Sequence, residues 1–156
     1  MTSPAPVFRQ RLFIESLHAR LASCARQQTC LSLAHFSVDD FESLLERVGQ
    51  LAAQGTLGMV ARVLADIGSD STLCARSGSG WFFVALPGVG LARAVEFAER
   101  ARLRLANFQL DGTVSVGIVQ AGPQRPPEAT VLVDAACRLA EQARGQGGGH
   151  IVAATA

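Results

Sequence analysis

The side chains of this chain that could do chemistry are few and widely spaced. Three histidines, His18, His35 and His150, fall in three different segments, and four cysteines, Cys24, Cys30, Cys74 and Cys137, form no C-x-x-C pair. Zinc sites need ligands in close pairs, so neither set predicts a metal centre. The cysteines read as reduced thiols of a cytoplasmic protein. No serine, histidine and acid share a motif that would activate a nucleophile. Ser37, Asp39 and Asp40 precede an amphipathic segment, the pattern of a helix N-cap with acids on the positive end of the helix dipole. Two glycine-rich turns could offer backbone N–H groups to a phosphate. "GQGGGH" (Gly145–His150) follows a helix instead of opening one, so it reads as a loosened turn and not as a dinucleotide fingerprint. "ARSGSGWFFVALP" (Ala75–Pro87) places Gly78-Ser79-Gly80 between two apolar runs, where a hairpin turn selects glycine for positive φ. Trp81, directly after that turn, is suited to stack on a ring, to face a partner or to fill the sheet.

The elements that must position these residues follow from the periodicity. Residues 1–6 carry two prolines and read as a flexible lead-in, and 7–156 read as one domain. Phe13, Leu17, Leu21 and Cys24 recur at helical steps. Leu31–Phe36 predicts a strand. Phe41, Leu44, Leu45, Val48, Leu51 and Ala52 predict one amphipathic helix, and Gly55–Ile67 a third. Leu73–Arg76 and Trp81–Leu86 form a hairpin, Leu91–Asn107 a long helix, Thr113–Ile118 a strand, Val131–Arg144 a last helix and "HIVA" an edge strand. The expected fold class is α+β, a layered α/β sandwich with helices packed on a mostly antiparallel sheet of about five strands.

Composition bounds the function. The 156 residues are 49% apolar and 17% charged, as in a single globular domain. A net charge of +1 gives no electrostatic footprint for nucleic acid or an anionic membrane. No apolar run reaches the roughly 18 residues of a membrane span, and the start "MTSPAPVFRQ" lacks the pattern of a signal peptide. No nucleic acid, no membrane insertion and a cytoplasmic location are expected.

The span from Phe8 to Ala153 resembles the GGDEF domain, the diguanylate cyclase fold of bacterial cyclic-di-GMP signalling. "LSLAHFSVDDF" is similar to the family's strand ending in D-I-D-x-F. "VGQLAAQGTLGMVARVL" follows its G-H-x-x-G-D-x-x-L-x-x-V-A-x-x-L without a gap. "ARSGSGWFFVALP" overlays A-R-x-G-G-[DE]-E-F-x-x-L-L-P, and "TVSVGI" is nearly T-V-S-I-G-I. In such domains the resemblance implies two Mg²⁺-binding carboxylates, at the end of the first strand and in the signature turn. Here those positions are Ser37 and Gly80, the second signature glycine is Ser79, and the next acidic position is Trp81, followed by Phe82. A serine hydroxyl and a glycine cannot replace two anionic ligands of a hard cation.

The positions that resemble the family's guanine-reading residues are Leu45 and Gln54. Its C-terminal phosphate-binding lysine aligns with Arg144, a residual phosphate contact, while its arginine aligns with Gly148 and its inhibitory R-x-x-D with Ser69–Thr72. The resemblance therefore predicts no catalytic residue, no metal and no cofactor. It predicts a domain that is not an enzyme: a degenerate, catalytically inactive GGDEF domain acting as a regulatory or protein-interaction module. Its partners would be a protein or an adjoining regulatory domain of the EAL or sensor kind, with a homodimer as a further expectation. A non-catalytic receptor for GTP or cyclic-di-GMP is the alternative, and a residual cyclase the least favoured.

Overall fold

The computed structural model describes residues 4–77, 79–107 and 114–156, with side chains from Arg11 onward. Its centre is β1 (Leu31–Val38), all eight residues of which are buried. A strand buried on both faces must serve two cores, and β1 does so by alternation. Leu31 and Leu33 point into one core, and Ala34, Phe36 and Val38 into the other. His35 and Ser37 thus share the face of Leu31 and Leu33.

Around β1 the sheet runs in the order β2-β3-β1-β4-β5, with β2 (Leu73–Arg76), β3 (Trp81–Pro87), β4 (Val114–Ala121) and β5 (Ile151–Thr155). Every pairing is antiparallel except that of β4 with β5, so the expected mostly antiparallel five-stranded sheet and α+β class are observed. One face is covered by α1 (Pro4–Arg26) and α5 (Ala129–Gly145). The other is covered by α3 (Gln50–Ile67) and α4 (Leu91–Ala106), with α2 (Phe41–Val48) closing its end.

Three of the boundaries that differ from expectation bear on the site and its surroundings. α1 starts at Pro4, inside the stretch read as an irregular lead-in, because prolines are tolerated in a first helical turn. The helix expected from Phe41 to Ala52 breaks at Gly49, whose φ of 84° and ψ of 166° end α2 and start α3 five residues before the expected Gly55. β1 runs on to Val38, so Ser37 belongs to the strand.

α5 can lie close on the sheet because Gly117 has no side chain. A Cβ there would come within 2.2 Å of the Ala136 carbonyl oxygen and 2.4 Å of the Ala140 nitrogen. The glycine of "TVSVGI" thereby sets the height of α5, and with it the position of Arg144 at the helix end.

Candidate functional site

The sheet register brings the C-terminal end of β1 beside two neighbours, pairing Ser37 with Trp81 of β3 and with Ser115 of β4. The last turn of α5 reaches over this point. Arg144 donates from Nη1 to Ser37 Oγ at 2.5 Å and stands 3.9 Å from Glu141 one turn back. Asp39 fixes the same corner: its carboxylate accepts from Ser115 Oγ at 2.8 and 3.0 Å and from the Gly149 N–H at 3.1 Å. Gly147, Gly148 and Gly149 all have positive φ, which lets the chain turn back to bring that N–H in. The expected helix cap is therefore replaced. Asp40 holds the N-cap position of α2 with φ 52° and no side-chain cap bond, Ser37 serves Arg144, and Asp39 ties β4 and the glycine turn to β1.

Ser37 and Arg144 form one end of a groove of about 470 Å³ between α1, α5 and the sheet. Its sheet wall is aromatic. Phe83 stacks on His35 with ring centroids 4.4 Å apart and on Phe13 at 5.6 Å, and Trp81 meets Phe83 edge-on at 5.4 Å. Direct cross-strand pairing of His35 with Phe83 and of Ser37 with Trp81 builds this wall. His35 is 6% exposed, and burial pushes its pKa down from 6.5 to about 4, the hydrogen bond to Phe82 opposing and the Arg144 charge adding to the effect. The ring is neutral at pH 7, and Nδ1 lies 3.1 Å from the Phe82 carbonyl oxygen. That contact needs an Nδ1–H, so Nε2 is the ring's acceptor. Burial, together with Asp134 and Glu141, pushes the Cys137 thiol on the α5 wall up.

The structure brings Ser37, Trp81 and Arg144 together and leaves other expected site residues elsewhere. Leu45 and Gln54 are half-buried on α2 and α3 and do not line this groove. Phe82 is 2% exposed and packs in the core on the α3 and α4 side, so of the signature residues it is a core residue. Ser79 is exposed, and its N–H is already given to Ser77 Oγ at 3.1 Å. Gly80 is buried with φ 91°, and its carbonyl accepts the Val38 N–H at 2.7 Å. Gly78 lies outside the described residues. Sequence reasoning missed His35, Phe13 and Phe83 as groove residues and Asp39 and Ser115 as its brace. The alternation of β1 was the available signal for His35, since it puts His35 and Ser37 on one face.

Residues 6–150 match the family model of the diguanylate cyclase GGDEF domain, and the chain belongs to that family. Solved structures agree on the fold. The active GGEEF domain of a diguanylate cyclase from Vibrio cholerae is 18% identical with a TM-score of 0.83, over 92% of this chain and 94% of that one. The GGDEF domain of DgcB from Caulobacter crescentus, in complex with c-di-GMP, is 18% identical with a TM-score of 0.83, over 92% and 86%. The diguanylate cyclase SiaD from Pseudomonas aeruginosa, in complex with its activator SiaC, is 25% identical with a TM-score of 0.82, over 92% of this chain and 57% of SiaD.

Family membership corrects one expectation. The prediction that the chain is not an enzyme is overturned, because the model that fits nearly its whole length is that of an enzyme domain. That prediction rested on substituted side-chain types at the metal and nucleotide positions, whereas the fold and the basic residue of α5 beside the end of β1 are both present. The family's Mg²⁺ is a separate matter. Ser37 Oγ is engaged by a guanidinium, Gly80 has no side chain, and no group of three or more His, Cys, Asp or Glu among the described residues could hold a metal. These residues do not fit a two-carboxylate metal site, and no chemical step is derived through one. No helix among the described residues is long and apolar enough to cross a membrane.

Proposed function

We propose that this chain works in bacterial cyclic-di-GMP signal transduction as a cytoplasmic regulatory GGDEF domain. In this reading Arg144 and Ser37 receive the phosphate of a guanine nucleotide, and a partner protein or adjoining domain reads the occupied site. The observation that carries it is the Arg144–Ser37 hydrogen bond: the family's phosphate-binding position stays basic and is held over the end of β1. Guanidinium groups suit phosphate because their fork of donors matches its oxygens. Partner control has a parallel in SiaD, which was solved with its activator SiaC.

Calorimetric titration of GTP and cyclic-di-GMP, with and without Mg²⁺, tests this reading, alongside chromatography of GTP incubated with the protein. The expected result is saturable binding that Arg144→Ala weakens by about tenfold or more, the worth of one charge-assisted hydrogen bond. No binding of either nucleotide at millimolar concentration would remove it.

A further inference from the structure

The groove is larger than a phosphate needs and is walled differently from a phosphate site. At about 470 Å³ it has the size of a small-molecule pocket. Trp81, Phe83, His35 and Phe13 line its sheet and α1 sides, and Trp81 is only partly buried. Arg144, Ser37 and Ser77 line it too, the serines being neighbours through the pairing of Ser37 with Trp81 and the Ser77 N–H bond to the Trp81 carbonyl. Ser37 Oγ accepts from Arg144, and Ser77 Oγ accepts from the Ser79 N–H, so both hydroxyl hydrogens remain to be donated. One cation, Arg144, and two hydroxyl donors thus stand together at this end, with Glu141 3.9 Å from the guanidinium, and offer an anion three donor groups. Asp134 lies two turns of α5 earlier, beyond Cys137. Midway, His35 offers Nε2 as a neutral acceptor.

We infer that this groove binds a planar heteroaromatic molecule carrying an anionic group, its ring against Trp81 and Phe83, a ring N–H toward His35 Nε2, and its anion at Arg144 and the hydroxyls of Ser37 and Ser77. Stacking on aromatic side chains supplies affinity without fixing the identity of the ring. Arg144 at one end fixes its direction. The inference shares Arg144 with the nucleotide reading but does not require it, since the aromatic wall belongs to neither Leu45 nor Gln54. A purine monophosphate and an indole carboxylate have the same chemistry in this respect, and the test separates them.

Isothermal titration with guanosine 5′-monophosphate and with indole-3-acetate gives the two arms, and tryptamine is the cationic control. At least one anion should bind at about millimolar Kd or tighter, and tryptamine at least about tenfold more weakly. Trp81→Ala should weaken the anion about tenfold, as removal of a stacking partner does. Cys137→Phe, which fills the groove from the half-buried wall of α5, should weaken it similarly, with both variants melting within a few degrees of the parent. Binding of neither anion, equal binding of tryptamine, or affinity unchanged in Cys137→Phe would overturn the inference. GTP binding that survives Cys137→Phe, with no indole-3-acetate binding, would leave the phosphate reading standing and this one fallen. Indole-3-acetate binding without GTP binding would do the reverse.

Discussion

Gly80 presses its backbone against the ring of Phe41: a Cβ on Gly80 would lie 2.8 Å from Phe41 Cγ and 2.9 Å from Phe41 Cβ, and its φ is 91°. The position where the family carries its second carboxylate is thus tightly packed against Phe41 in this chain. Gly80→Glu must strain the backbone and displace a side chain that is 8% exposed. A loss of about 2 kcal/mol or more is expected, from positive φ and overpacking together. Urea unfolding measures it, and a midpoint equal to that of the parent would show that the turn relaxes freely. Combining Gly80→Glu with Phe41→Leu should cost less than the sum of the two single changes, since the residues touch.

Much of this fold is legible in the sequence because single residues carry unambiguous signals. Phe13, Leu17, Leu21 and Cys24 predict one buried face of α1, and all four are buried. The site is only partly legible. Ser37 and Arg144 are 107 residues apart, and their contact exists only because α5 crosses β4 at Gly117 and ends over β1. His35 looks like one more residue of an apolar strand, yet the pairing with Phe83 makes it part of a ligand wall. Substituted positions such as Ser37, Gly80, Leu45 and Gln54 are a poor guide to activity, because loss of a side-chain type says nothing about the groups that a fold gathers from distant segments.

Gly117 allows a test of how α5 is seated. Gly117→Ala would put a methyl group 2.2 Å from a backbone oxygen, and backbone cannot rotate away as a side chain can. The expected cost is about 3 kcal/mol or more, at the upper end for overpacking. Gly122→Ala, whose Cβ would meet nothing within 4 Å, should stay within about 0.5 kcal/mol of the parent. Thermal or urea unfolding of the pair reads the difference, and equal stabilities would mean that α5 lifts from the sheet without penalty.

His35 should make stability pH-dependent in a defined direction. Its pKa in the folded chain is about 4 against 6.5 ordinarily, with burial as the main cause, so between these values the unfolded chain binds the proton and the folded chain does not. Stability is therefore fully present above about pH 6.5, falls as the pH drops toward 4, and loses nothing further from this group below that. The full effect is roughly 3 kcal/mol. Urea midpoints at pH 7 and pH 4.5, compared between the parent and His35→Phe, isolate it from the carboxylates. A parent-like pH slope in His35→Phe would assign the loss to other groups.

Asp39 should act on the corner that holds Arg144 and not on the core. Its carboxylate takes hydrogen bonds from Ser115 Oγ and from the Gly149 N–H, and Ser115 Oγ itself lies 3.2 Å from that same nitrogen. Asp39→Ala deprives both donors of their anionic acceptor, at a cost of about 1 to 3 kcal/mol. The loss should be local, because the Gly149 turn leads directly into β5 through the bond from the Val116 N–H to the His150 carbonyl. Amide hydrogen exchange reads this: Gly149 and the β5 amides should exchange faster, while Ala34, at the centre of the sheet, should keep the protection of global unfolding. Asp39→Asn retains one acceptor oxygen and should fall between the parent and Asp39→Ala. Since the glycine turn follows Arg144 directly, Asp39→Ala should also weaken any anion bound there, though it contributes no cation of its own. Equal exchange acceleration at Gly149 and Ala34 would show instead that Asp39 supports the whole domain.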